Sequence, residues 1–265
     1  MDRPGGDASS FRLDGRVAVV IGGTGVLGRR IAGALAGAGA RTVVVGRDEA
    51  RGEAASAALA GLDGDVRFER CDATRRGDLA GLVGRVLRSH GRVDVLVNGA
   101  GINAGTPFLE ITDEELERIV AVDQLATVRA CQEFGRYFVA RAASEGTGAS
   151  IVTVGSTAAA VPLSKVFAYA MAKAAVHNLT RNLAREWGPL GIRCNVLVPG
   201  FFPAEQNRSL LDEGRVRAIV GHTPLGRLGV PDDLAGAVLL LAGDAGRFIT
   251  GAEIVVDGGF SAVSI

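Results

Sequence analysis

From residue 16 onward, short apolar runs rich in Val and Ile alternate with longer stretches of helical patterning, and this alternation limits the possible folds more than any other feature. Residues 16–21, 41–45, 65–70, 93–97, 150–154, 193–198 and 253–256 read as strands. Residues 26–38, 48–60, 75–89, 113–120, 122–143, 167–187 and 232–242 read as helices, with a loop-and-helix region at 204–220. This order implies βαβ units. The strands are nearly continuous apolar runs, as expected for strands covered on both faces. Right-handed crossovers then predict an α/β fold of the Rossmann type: one domain with a doubly wound parallel sheet of about seven strands and helices on both faces.

The 265 residues are 48% hydrophobic, enough for one large core. No composition break or linker divides the chain, so residues 11–265 are read as a single domain. Residues 1–10, polar and Gly-rich, are read as a disordered tail without the order of a signal peptide. No apolar run approaches the roughly 20 residues that span a bilayer. These features predict a soluble, cytoplasmic protein. The formal net charge is zero and the basic residues are dispersed, which argues against nucleic-acid or membrane partners. Cys71, Cys131 and Cys194 lack metal-ligand spacing and are expected to be reduced core residues, with no metal site.

The first strand runs into Gly22-Gly23-Thr24-Gly25-Val26-Leu27-Gly28, which opens the first helix. Small residues allow a tight turn and close backbone approach to a pyrophosphate, and the helix N-terminus supplies free N–H groups. The second strand ends at Gly46-Arg47, where an NAD site usually has a carboxylate for the ribose 2′-OH. An arginine there can pair with a 2′-phosphate instead, which points to NADP(H). Asp72 and Ala73 end the third strand, with Asp72 a candidate for the adenine amine. Asn98-Gly99-Ala100-Gly101 ends the fourth and is small enough for a flat cofactor to lie against it.

Tyr169-Ala170-Met171-Ala172-Lys173 puts a phenol and an amine four residues apart on one helix face. Of 29 basic residues only Lys165 and Lys173 are lysine, and a compact ammonium can stand where a guanidinium fork cannot. An ammonium beside a phenol favours the phenolate, so the pair can pass a proton to an alkoxide or take one from an alcohol. Ser156, just past the fifth strand, can hold a carbonyl oxygen. His90 and His177 read as structural helix residues, whereas His222 follows the loop region and could reach a pocket.

Together with Pro199-Gly200 and Asp257-Gly258-Gly259, these motifs make the chain resemble the short-chain dehydrogenase/reductase family over nearly its whole length. The resemblance implies hydride transfer between a nicotinamide and a carbonyl or alcohol. It assigns catalysis to Ser156, Tyr169 and Lys173, with Lys173 also on the nicotinamide ribose. The implied cofactor contacts are Gly22, Thr24, Val26, Leu27, Arg47, Asp72, Ala73, Asn98, Ala100, Gly101, Tyr169, Lys173, Pro199, Gly200 and Phe202. It also implies a homotetramer or dimer. The chain departs from the family pattern at Val26, which replaces the usual middle glycine, at Ile21, and at Ala204, where a threonine is common. Asp123 falls where the family commonly has an asparagine that holds a water linking the lysine to solvent. An aspartate there is expected to order the same water and to raise the pKa of Lys173.

The loop at about 200–225 is expected to choose the substrate. Within it, Phe201 and Gln206 are candidate substrate contacts, as is Asn103 elsewhere, and Arg208 or Lys165 could hold a carboxylate. The loop resembles the sugar-acid branch of the family, the D-mannonate oxidoreductase or fructuronate reductase-like members, which predicts a polar ketone, such as a keto-sugar acid, as substrate. Three alternatives compete with it: a polyketide or cyclitol ketoreductase, a 3-oxoacyl-carrier-protein reductase, and a nucleotide-binding regulatory protein of weak activity.

Overall fold

A computed structural model describes residues 8–204 and 212–263. In chain order the elements are β1 (Val17–Ile21), α1 (Val26–Gly37), β2 (Arg41–Gly46), α2 (Glu49–Ala58), β3 (Val66–Arg70), α3 (Arg76–His90) and β4 (Val95–Asn98). There follow α4 (Asp113–Ile119), α5 (Ala126–Glu145), β5 (Ala149–Val154), α6 (Phe167–Trp187), β6 (Ile192–Pro199), α7 (Glu213–His222), α8 (Ala235–Ala242) and β7 (Glu253–Val256). Ala8–Phe11 form a 3-10 turn, so described structure begins inside the stretch expected to be disordered.

The seven strands form one parallel sheet in the order β3-β2-β1-β4-β5-β6-β7, the doubly wound arrangement that the alternation predicts. Side chains alternate across a strand, and the core divides accordingly. Val17, Val19 and Ile21 join Leu79, Leu82, Phe134 and Phe138 from α3 and α5 on one face. Ala18 and Val20 join Ile31, Leu35, Val238 and Leu241 from α1 and α8 on the other.

At the N-terminal end of the sheet, buried Asp94 accepts from the Val17 backbone N–H at 2.9 Å and from Arg141 Nη1 at 3.1 Å. Asp94 is thus committed to tying β1 and α5 together. β4 accordingly starts at Val95, two residues later than the apolar run suggests. At the opposite end the connections diverge between β1 and β4, and doubly wound sheets open a crevice at such a switch point.

Candidate active site

A cleft of about 900 Å³ lies beyond the C-terminal ends of the strands. Its lining brings together most of the residues singled out in the sequence. Gly22, Thr24, Val26 and Leu27 line it from the β1–α1 turn, and Arg47, Asp72 and Ala73 from the ends of β2 and β3. Ala100, Gly101 and Asn103 follow β4, Ser156 follows β5, and Tyr169 and Lys173 come from α6. Pro199, Gly200, Phe201 and Phe202 complete it after β6.

Three sequence expectations need correction, and two lie outside the described residues. Asn98 is buried below the cleft, because the last residue of β4 points into the core, where its amide donates to Cys131 Sγ at 3.4 Å. Asp123 also lies beneath the lining and, as expected of it, raises the Lys173 pKa. Lys165 is exposed on the loop before α6, with a left-handed φ of 64°, and does not line the cleft. His222 packs edge-on against Phe260, away from the lining. Gln206 and Arg208 fall outside the described residues. A cation that the sequence reading missed, Arg215 in the first turn of α7, reaches the cleft instead. Its Nη2 donates to the Ser164 carbonyl at 3.3 Å.

The turn into α1 is built for close approach. Gly22 has φ of 76°, and a Cβ on it would stand 2.6 Å from the Ala100 nitrogen. A Cβ on Gly28 would stand 2.2 Å from the Gly22 carbonyl oxygen. α1 opens at Gly25 with no side-chain cap, so its first N–H groups face the cleft without an internal acceptor, as a phosphate-binding helix start requires. The volume matches the roughly 300–1,000 Å³ of ligand clefts. These features fit a dinucleotide.

The catalytic candidates converge on one wall. Ser156 is extended (φ −163°, ψ 148°), and its Oγ accepts from the Ala158 N–H at 3.1 Å. That bond leaves the hydroxyl hydrogen available to donate. Lys173 Nζ lies 5.4 Å from the Tyr169 ring centre and donates to the Val154 carbonyl at 3.1 Å. Asp123 sits in a π-helical turn, Val120–Leu125, between α4 and α5, a local widening common at functional sites. The carboxylate is fully buried. Its Oδ2 accepts from the Ile102 N–H at 2.9 Å, and its Oδ1 lies 3.4 Å from Lys173 Nζ. Asp123 therefore meets the ammonium directly. Burial pushes the Asp123 carboxyl above its ordinary range, although Lys173 opposes this. Burial also works against the charge on Lys173, but Tyr169 and Asp123 together outweigh it and hold the ammonium above its usual range.

The chain matches, over residues 24–261, the family model adh_short_C2, Enoyl-(Acyl carrier protein) reductase. The chain belongs to the short-chain dehydrogenase/reductase family. Among the relatives of this family member is a D-threitol dehydrogenase of Mycolicibacterium smegmatis, 35% identical over 95% of each chain. Another is a galactitol 2-dehydrogenase of Rhizobium johnstonii, 38% identical over 95% of this chain and 97% of the relative. A gluconate 5-dehydrogenase from Burkholderia cenocepacia, solved with NADP and tartrate, superposes with a TM-score of 0.91 at 28% identity, covering 97% and 99% of the two chains. This chain is thus a nicotinamide-dependent oxidoreductase acting on CH–OH and C=O groups. These relatives are polyol and sugar dehydrogenases, a broader class than the D-mannonate and fructuronate enzymes expected from the loop. Among the described residues no helix is long and apolar enough to cross a membrane.

Proposed function

We propose that the protein interconverts a secondary alcohol and a ketone on a polyhydroxylated small molecule, using NADP(H). The observation that carries this reading is the convergence of Ser156, Tyr169 and Lys173 on one wall of a dinucleotide-sized cleft. Bound cofactor supplies or accepts the hydride. Ser156 donates its hydroxyl hydrogen to the substrate oxygen, while one of its lone pairs accepts from the Ala158 N–H. Tyr169 gives a proton to that oxygen in reduction and takes it back in oxidation. Lys173, anchored by Val154 and Asp123, keeps positive charge beside the phenol and has further N–H donors for a ribose hydroxyl.

Several features support NADP(H) over NAD. Position 46 is glycine, and Arg47 and Arg51 both line that end of the cleft, where a 2′-phosphate can be paired bidentately. Gly22, Thr24, Val26, Leu27, Asp72, Ala73, Ala100, Gly101, Pro199, Gly200 and Phe202 are assigned to the rest of the cofactor. The substrate end is assigned to Asn103 and Phe201, and self-association as a homotetramer or dimer in the cytoplasm belongs to the same reading.

Arg215 favours a narrower second reading, a sugar acid such as the mannonate and fructuronate pair. Arg215 lines the cleft, and among the described residues its guanidinium donates to the Ser164 carbonyl and pairs with no carboxylate. NADPH oxidation across neutral ketoses, keto-sugar acids, cyclic ketones and acyl thioesters, with Tyr169→Phe as control, tests both readings. Turnover of keto-sugars abolished by Tyr169→Phe is expected. A loss on acids alone in Arg215→Gln selects the narrower reading. Turnover restricted to acyl thioesters would overturn both and favour a carrier-protein reductase.

A further inference from the structure

Tyr169, Lys173, His177 and Arg181 follow one another at four-residue spacing and so form a stripe along α6. The first two belong to the site already described. His177 is 4% exposed. Its Nε2 accepts from the Ser156 backbone N–H at 3.3 Å. On the other side of the ring, Nδ1 donates to Glu253 Oε2 on β7 at 3.0 Å. Arg181 Nη1 lies 3.5 Å from the second oxygen of Glu253. The chain at residue 155 passes so close to the imidazole that a Cβ there would stand 2.0 Å from Nε2, and residue 155 is glycine.

We propose that His177 is a positioning residue for Ser156, carrying a hydrogen-bonded chain from Glu253 at the sheet edge to the backbone of the serine that holds the substrate oxygen. The inference rests on that reading of Ser156. Two ties fix the serine: its N–H to His177 and its Oγ to the Ala158 N–H. Together they set the direction of the hydroxyl. The first tie needs a neutral imidazole in one tautomer, with the proton on Nδ1 and the lone pair on Nε2. A protonated ring would oppose its own N–H to that of Ser156. The charged groups facing the ring are Glu253 from β7, and Lys173 and Arg181 from its own helix. Burial, with Lys173 and Arg181, lowers the His177 pKa below its ordinary value against the pull of Glu253. The neutral form is thereby kept.

The test compares His177→Leu, which keeps volume but no acceptor, with His177→Gln, whose amide oxygen can take the place of Nε2, and uses Ser156→Ala as reference. In the full chain, His177→Leu is expected to lower kcat roughly ten-fold, the scale of one lost hydrogen bond. The Kd for NADPH, read by cofactor fluorescence, is expected to hold. His177→Gln is expected to restore most of the rate. The wild type should lose kcat as pH falls through the depressed histidine pKa, and His177→Gln should lack that limb. Glu253→Gln removes the charge that raises the pKa and should move the limb to lower pH. Full activity in His177→Leu beside an inactive Ser156→Ala overturns the inference and leaves the proposed function standing. Full activity in Ser156→Ala overturns both. If His177→Leu does not fold, an acid limb that persists in His177→Gln overturns the inference.

Discussion

The Asp123 carboxylate and the Lys173 ammonium face each other at 3.4 Å, the carboxylate fully buried and the lysine nearly so at the cleft floor. Asp123 is one of two groups that raise the Lys173 pKa against the effect of burial. Replacing it with asparagine removes that contribution, so Asp123→Asn is expected to shift the alkaline limb of the pH–rate profile to lower pH. The sign follows from Lys173 acting as a cation: activity that needs the ammonium is present below its pKa and lost as pH rises through it. A profile identical to that of the wild type would take Asp123 out of proton handling.

Removing one partner of a buried ion pair strands the other charge, which costs about 3–5 kcal/mol. Asp123→Leu is therefore expected to destabilise the fold on that scale, whereas Asp123→Asn, which can still accept from the Ile102 N–H, should cost less. Urea unfolding of the two variants checks the order. Equal midpoints would show that Lys173 finds other partners when the carboxylate is gone.

Tyr169 supplies the proton in the proposed chemistry; it lines the cleft and packs, half-buried, against the cluster of Ile119, Ala168 and Ala172. Tyr169→Phe keeps the ring and removes the hydroxyl. General acid catalysis is worth about 10²- to 10⁴-fold, and kcat should fall by that factor while NADPH affinity and thermal stability hold. A parallel loss of cofactor affinity would mean that the hydroxyl mainly builds the binding site.

The strand-and-helix alternation carried the architecture because a doubly wound sheet needs a continuous apolar run for each strand and a two-sided core, and both leave a plain trace in sequence. What stayed hidden was direction. Whether Asn98 faces the cleft or the core depends on the pleat at the last residue of β4, and one register step separates the two. Lys165 was conspicuous as a rare lysine, yet the loop before α6 turns it to solvent. Arg215 escaped notice because nothing local marks an arginine that a distant loop brings to the cleft. His177 did carry a signal: it continues the Tyr169 and Lys173 spacing by one more turn. Its partners Ser156 and Glu253 come from separate strand ends, and only the sheet order brings them together.

Arg141 and Asp94 offer a control at the far end of the sheet. Their ion pair is buried and joins α5 to β1 through the Val17 N–H. Arg141→Met leaves Asp94 with Arg92 as its remaining cationic partner. Because Arg92 and the Val17 N–H still serve the carboxylate, it should lower stability by less than the ~3–5 kcal/mol of a fully stranded buried charge. The cleft lies at the opposite strand ends, so kcat per folded molecule should not change at temperatures well below the melting transition. A drop in kcat with unchanged stability would contradict this separation of scaffold from site.

Arg47 and Arg51 give the cofactor preference its test. Both line the cleft beyond β2, and Arg51 sits in the first turn of α2, whose start is capped by Asp48 accepting from the Arg51 N–H at 2.9 Å. That bond uses the Arg51 backbone, so truncating the side chain leaves the cap intact. A phosphate paired with a guanidinium contributes about 1.5–3 kcal/mol, which corresponds to roughly ten- to a hundred-fold in affinity. The double variant Arg47→Ala/Arg51→Ala is therefore expected to raise the KM for NADPH by that factor and to leave the KM for NADH unchanged, because NADH has no 2′-phosphate to lose. If the wild type already turns over faster with NADH, the two arginines are surface charges and the preference for NADP(H) fails, whatever the double variant does.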